Sequence, residues 1–377
     1  MITFIKLLIA FILAILIVVA AAIAFVRWKF RSWMKKLVDI ASSVSGNSIP
    51  PFRITIKARD DAEDNDWYHT EDMARLTKDF ESLRFTAIGD YVTDEIPLQL
   101  RAFQHQEHHA YGMIYDHASA GCWCDVVRRY ADETGWTVSS GTKHGMDPPP
   151  WHHPCFLPGQ PVSDLMDRLL NTSPAEGLLK AGADLFIQRF TATYAREMNW
   201  RIERGGPTEE EIRRVASNDG QECTNDQIAA VQKQWRTAIA DFLSDRVLKN
   251  WRKENDISAT DFDRIRDRLV VVHNRLQPEQ LLQIVDESNE LNDDSDHDNL
   301  DATDPEAESL EQVRKLISES SVIVAFQKLL GEKKLLHLWK KTADVRKPLK
   351  AEIWERPGDP DDSDQQSQDE FDDELEI

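Results

Sequence analysis

The sequence lacks the short motifs by which many enzymes are identified. It has no glycine-rich phosphate loop, no dinucleotide-binding fingerprint and no nucleophile elbow. It also has no internal repeat and no stretch that predicts a basic groove, so nucleic-acid binding is not indicated. These absences remove the best-marked catalytic classes and leave open whether the protein is an enzyme.

Cysteine is scarce, and its spacing is unfavourable for a metal. The four cysteines are Cys122, Cys124, Cys155 and Cys223. A structural zinc site would take the first three with His152. However, cysteines at i and i+2 on a strand lie ~7 Å apart, whereas two sulfur atoms on one zinc lie within about 4 Å of each other. We therefore predict reduced, buried thiols, with no metal and no cofactor.

Two long stretches contain no lysine or arginine. Residues 286–308 carry 11 acidic residues and residues 358–377 carry 10, which together equal the whole net charge of −21. Segments with this much uncompensated charge bury too little apolar surface to fold. We predict that both stretches are disordered. The acidic run at 293–301 also lacks the glycine and glutamate of an EF-hand loop, so calcium binding is not expected.

One hydrophobic run is long. Residues 7–26 are 20 apolar residues without a charge, enough for a helix to span the ~30 Å hydrocarbon core of a bilayer. The cations that follow this run predict a single-pass protein of the cell membrane, with its N-terminus outside and its bulk in the cytoplasm. A cleaved signal peptide is the alternative, because alanine pairs near residue 22 fit a cleavage site. The predicted membrane-interface residues are Arg27, Trp28, Lys29, Arg31, Trp33, Lys35 and Lys36.

The pattern of residues 52–160 predicts a domain with both helices and strands. Apolar and polar residues alternate at 52–57, and short strand-like segments recur between residues 84 and 139, which indicates an antiparallel meander. A helix with Thr70 as its N-cap is expected to pack on one face. Residues 146–161 contain six prolines and predict an irregular boundary loop.

Residues 161–285 predict an all-helical domain. Apolar residues recur every three to four positions, which is typical of amphipathic helices. Two capping boxes, Thr208 with Glu211 and Thr224 with Gln227, mark helix starts.

The C-terminal part is predicted to be helical and basic toward its end. Residues 333–350 carry seven lysines and arginines beside a leucine and tryptophan stripe. Such a helix either lies on an anionic membrane surface or packs its apolar stripe on the helical domain.

The predicted organisation is a transmembrane anchor at 1–26, a basic juxtamembrane segment and linker at 27–51, a meander domain at 52–160, a helical domain at 161–285, an acidic linker at 286–308, a C-terminal helical segment at 309–355 and an acidic tail at 356–377.

The predicted fold class is therefore α+β: a transmembrane helix, a small antiparallel meander with a packed helix, and an all-helical domain. The leading hypothesis is a membrane-anchored protein that binds or scaffolds at the cytoplasmic face, with the bilayer and a protein as partners. The alternative is a membrane-anchored enzyme whose site lies between the meander and the loop at 141–159. That alternative requires loop residues to meet a meander carboxylate. The residues concerned are His144, His152, His153 and Cys155 in the loop, and Asp90, Asp116 or Asp125 in the meander.

Overall fold

A computed structural model describes residues 49–59, 67–218, 220–290, 305–330, 335–341 and 349–356. The fold is mixed α+β. Two compact units are distinguished: unit 1 runs up to Met198 and includes Pro207–Val231, and unit 2 comprises Asn199–Gly206 and the chain from Gln232 onward. None of the helices in the described ranges is long and apolar enough to cross a membrane. The predicted anchor and its interface residues lie outside those ranges.

Unit 1 contains a seven-stranded sheet in the order β1-β2-β3-β4-β5-β6-β7. Neighbouring strands from β1 to β6 are antiparallel, so the predicted meander is confirmed. The strands are β1 Ile56–Ala58, β2 Thr86–Thr93, β3 Leu98–His105, β4 Ala110–His117, β5 Gly121–Arg129, β6 Gly135–Ser139 and β7 His152–Phe156.

The strand β7 corrects one prediction. It lies inside the proline-rich segment that was expected to be irregular, and it pairs with β6 in parallel. Gly135 N donates to Trp151 O at 2.9 Å, and Leu157 N donates to Ser139 O at 2.8 Å, so the odd-numbered residues of β7 bond to β6. The nitrogen of Pro154, which has no hydrogen to donate, therefore faces away from the ladder. An edge strand tolerates proline at such a position.

Two helices, α1 (Thr70–Ser82) and α2 (Val162–Thr172), cover one face of the sheet. The helix α1 was predicted, but its N-cap residue is His69 rather than Thr70. Phe80 of α1 is fully buried, and its ring stacks on Phe103 of β3 with centroids 4.8 Å apart. Burying a side chain of this size contributes about 1.5–3 kcal/mol, which fixes α1 on the sheet.

The second face of the sheet packs against the helix α3 (Phe186–Arg204), which follows a 3-10 turn at Ala183–Leu185. Phe186 and Phe190 contact the aromatic residues of β2 and β4 on this face. The next helix, α4 (Glu209–Asn218), begins at the predicted capping box: Thr208 N donates to Glu211 Oε2 at 2.7 Å, and Glu211 N donates to Thr208 Oγ1 at 3.3 Å.

Unit 2 corrects the prediction of an all-helical domain. It contains a three-stranded antiparallel sheet in the order β8-β10-β9. Its strands are β8 Leu269–His273, β9 Leu336–Lys341 and β10 Ala351–Glu355. Its helices are α5 Asn225–Glu254, which belongs to unit 1 up to Val231, α6 Ala259–Ile265, α7 Pro278–Glu290, α8 Pro305–Glu319 and α9 Val322–Leu330.

The basic segment near residue 340 is thus a strand and not the predicted helix. Ala351 and Ile353 of β10 are fully buried, and β10 needs a partner strand on each side to pair its backbone. Lys340 Nζ of β9 lies 2.9 Å from Oε1 of the buried Glu352 of β10. One charge of the basic segment therefore forms an ion pair within the sheet. The strand β8 packs Val270 and Val272 against helices α7 to α9, and Val271 against α5 and α6.

Both ends of the predicted disordered linker at 286–308 are helical, because α7 extends to Glu290 and α8 begins at Pro305. Residues 291–304 and the tail 357–377 lie outside the described residues. The two compact units also do not follow the predicted boundary between residues 160 and 161, since α2 packs on β5 and β6.

Candidate binding site

The four candidate metal ligands do not meet. Cys124 belongs to the core between the sheet and the helices α1 and α2, and Cys122 and Cys155 are half-buried against that core. His152 lies on the opposite face, where its Nε2 is 3.0 Å from Thr137 Oγ1. Within the described ranges, no group of three or more metal-ligating side chains is assembled.

The cysteines of β5 are a half-buried thiol, Cys122, and a buried thiol, Cys124. Burial raises the pKa of Cys122 to about 12 and that of Cys124 to about 11. Cys122 Sγ donates to Met73 Sδ at 3.8 Å, and Cys124 Sγ lies 3.4 Å from Ser140 Oγ. Because only a thiolate attacks or binds metal strongly, these two residues act here as small apolar side chains.

The three meander aspartates have separate partners. Asp90 binds Arg101 through both carboxylate oxygens, at 2.7 and 2.6 Å. Asp116 is fully buried and binds His69. Asp125 lies on the α3 face, which it shares with His152 but not with Cys155. The loop residues therefore do not converge on one carboxylate, and the predicted enzyme site gains no support from the geometry.

A row of polar side chains on β5, β6 and β7 lies on the α3 face, with Thr137 and Ser139 buried and Asp125 and His152 half-buried. Burial raises the pKa of Asp125 to about 6, opposed by a hydrogen bond from Ser139 and by the charge of Arg129. Burial also lowers the pKa of His152 to about 4, although the nearby Glu197 raises it. The adjacent cavity, beside Arg129, has a volume of only about 20 Å³. It has room for one water molecule, so this row has no space for a substrate.

The proline-rich loop is held by α4. Glu211, which is fully buried, accepts a hydrogen bond from Asp147 N at 2.7 Å. Arg214 donates to Gly145 O at 3.0 Å and also pairs with Asp147. These contacts fix the backbone that enters β7.

A hollow of about 380 Å³ lies between α2 and the β6–β7 edge of the sheet. Trp136 and His153 are register partners on β6 and β7, and their rings lie 4.6 Å apart at 33°. Cys155 lies two residues further along β7 on the same face, and Arg168 and Thr172 line the hollow from α2. We name this feature the edge hollow. Its volume falls within the range of small-molecule sites.

A histidine–aspartate pair lies elsewhere on unit 1, at the start of α1. His69 Nδ1 is 2.6 Å from Asp116 Oδ1, and His69 N donates to Asp116 Oδ2 at 3.2 Å. The side chain of His69 is 36% exposed, so its ring reaches solvent while the carboxylate is shielded. A buried carboxylate that orients an accessible imidazole is one arrangement of a general base.

Sequence reasoning named His153, Cys155 and Asp116 as candidates, but it missed the residues that the fold brings to them, which are Trp136, Arg168, Thr172 and His69. Trp136 and Arg168 come from different elements, and His69 and Asp116 lie 47 positions apart, so no local pattern records their contact. The only available signal was the cluster of tryptophan, histidine and cysteine at 151–155. The chain has no significant match to a known protein family, a curated protein or a solved structure.

Proposed function

We propose that this is a single-pass membrane-anchored binding protein that presents the edge hollow of unit 1 at the cytoplasmic face. The apolar run at 7–26 and the cations behind it support the anchor. The observation that carries the proposal is the open aromatic pair of Trp136 and His153 beside Arg168. Aromatic surface with one cation binds ligands without requiring an activated nucleophile.

The chemistry around the hollow supports binding over catalysis. His153 and Cys155 face the hollow, but no hydrogen bond joins them in the described part of the chain. Cys122 and Cys124 have raised pKa values and lie in the core. The polar row with Asp125 lies on the other face of the sheet.

Protection of a thiol tests this proposal directly. The full chain, reconstituted in lipid vesicles, is treated with iodoacetamide in the presence of a broad fragment set, and alkylation is followed by peptide mass spectrometry. A fragment that binds the hollow slows alkylation of Cys155 at least fivefold. Cys223, also half-buried but outside the hollow, is the internal control. If no fragment protects Cys155 selectively, the hollow is not a binding site.

A second candidate function, a membrane-anchored hydrolytic enzyme, is favoured by the pair of His69 and Asp116. In this role His69 Nε2 takes a proton from water, and Asp116 holds the ring and stabilises the imidazolium. The test is a panel of chromogenic esters and phosphate esters. Turnover that falls at least 100-fold in both His69→Gln and Asp116→Asn supports the enzyme, and turnover that survives either change refutes the role of the pair.

A further inference from the structure

The outer ring of the aromatic pair in the edge hollow, His153, lies on the edge strand β7. Among the described residues, the strand β7 pairs only with β6, so no described strand of this sheet lies beyond His153. Trp136 is partly buried against the core, which fixes the inner ring of the pair. The ring of His153 is exposed. A planar ligand ring placed against His153 would add a third ring beside this tilted pair, which is a favourable arrangement for aromatic groups.

The charge at the hollow comes from one side chain. The guanidinium of Arg168 is exposed on α2 and makes no ion pair with any carboxylate in the described ranges. Thr172 lies one turn later, and its hydroxyl donates to Arg168 O at 2.7 Å. The hydroxyl oxygen of Thr172 can therefore accept a hydrogen bond from a ligand. The planar guanidinium of Arg168 can donate two parallel hydrogen bonds to an anion.

The surroundings of Arg168 limit how much negative charge the ligand carries. α2 ends at Thr172, and a helix C-terminus carries a partial negative charge of about half an electron. Asp164 and Asp167 add two carboxylates to the same helix. One guanidinium therefore compensates a single negative charge but not two. This favours a carboxylate over a phosphate monoester.

We propose that the edge hollow binds an aromatic monocarboxylate, with the ring stacked on His153 and the carboxylate on Arg168. This inference rests on the proposed function and names the ligand class of the same site. The ring supplies most of the affinity, and the charge contributes a smaller factor because the ion pair is exposed to solvent.

The test uses the full chain in vesicles and three probes: 2-naphthoate, 2-naphthalenemethanol, which keeps the ring without the charge, and acetate, which keeps the charge without the ring. Protection of Cys155 from iodoacetamide gives a dissociation constant for each. We expect 2-naphthoate to bind about fivefold more tightly than the alcohol, and acetate to give no protection. Arg168→Gln should remove that fivefold preference without changing the affinity for the alcohol.

Two further variants complete the test. His153→Ala should weaken both ring-containing probes at least fivefold, whereas Lys78→Gln, an exposed charge on α1, should change neither. Circular dichroism of each variant checks that unit 1 is folded. The inference is overturned if Arg168→Gln leaves the preference intact, or if the neutral alcohol protects Cys155 as well as 2-naphthoate does. In that second case the binding function stands. If nothing protects Cys155, both proposals fail.

Discussion

Acid is expected to destabilise unit 2 through one buried histidine. His273 of β8 is fully buried, with Nε2 at 3.1 Å from both Ala240 O and Ser244 Oγ, and Nδ1 accepting from Arg275 N at 3.2 Å. Every polar atom of the neutral ring is thus satisfied. Burial lowers the pKa of His273 from 6.5 to about 4.

The sign and size of the effect follow from linkage. Because the folded pKa lies below the unfolded value, the unfolded state binds the proton first as the pH falls. The contribution of His273 to the free energy of unfolding of unit 2 is complete above about pH 6.5 and is lost between pH 6.5 and 4. The difference between the folded and unfolded pKa values makes this contribution about 3 kcal/mol.

Unit 1 should respond differently. His152 has the same lowered pKa of about 4 and also loses its contribution as the pH falls. Asp125 has a folded pKa of about 6, above its unfolded value of 3.8, so its protonation stabilises the folded unit over nearly the same window. The two effects are similar in size and opposite in sign. The stability of unit 1 should therefore change little between pH 6.5 and 4.

Hydrogen exchange followed by mass spectrometry measures both units in one sample. After correction for intrinsic rates, the slowest amides of β8 should exchange roughly 100-fold faster at pH 4.5 than at pH 7, while those of β4 change less than tenfold. His273→Gln should be less stable at pH 7 but should lose the pH dependence in β8. His117→Gln, near the surface, is the matched control. Retained protection of β8 at pH 4.5, or an unchanged pH slope in His273→Gln, would refute the reasoning.

Three other predictions follow from named contacts. Gly112→Ala should lower the free energy of unfolding of unit 1 by about 1–3 kcal/mol in urea, because its added carbon would lie less than a normal contact distance from the buried ring of Phe80; the double variant with Phe80→Leu should recover part of the loss. Glu211→Ala removes the acceptor of Asp147 N, so limited proteolysis should cut the proline-rich loop at least tenfold faster than in the wild type; equal rates would show that α4 does not hold the loop. A reporter fused after Lys36 should be active only if it requires the cytoplasm, and activity of a secretion-dependent reporter would reverse the proposed topology.

Local patterns predicted the local structure well. The short strand-like segments between residues 84 and 139 located the strands from β2 to β6. The pair of Thr208 and Glu211, three positions apart, marked the start of α4. The failures have a physical cause. The strand β10 pairs with β8, some 80 residues earlier, and no periodicity within either segment records that pairing. The strand β7 was missed because proline disfavours strands except where its nitrogen faces away from the ladder.

The candidate site was beyond sequence reasoning for the same reason. Trp136, His153 and Arg168 come from three elements, and only the parallel pairing of β6 with β7 places the two rings in register. The histidines and cysteines of the loop were recognised as candidates, but strand alternation sends His152 to one face and His153 to the other. A one-residue difference in position thus separates a half-buried histidine on the α3 face from one that lines the edge hollow.

The docking of the proline-rich loop on α4 sets an order of events during synthesis. The contacts from Glu211 to Asp147 and from Asn218 to Lys143 link residues that are 64 and 75 positions apart. The β6–β7 ladder forms one side of the edge hollow, yet the segment that enters β7 is fixed only when α4 has emerged from the ribosome. Chain closures of this length are slow compared with helix and hairpin formation. A nascent or truncated chain that ends before α4 would therefore carry the meander without a finished hollow, so ligand binding at this site would report that unit 1 is complete.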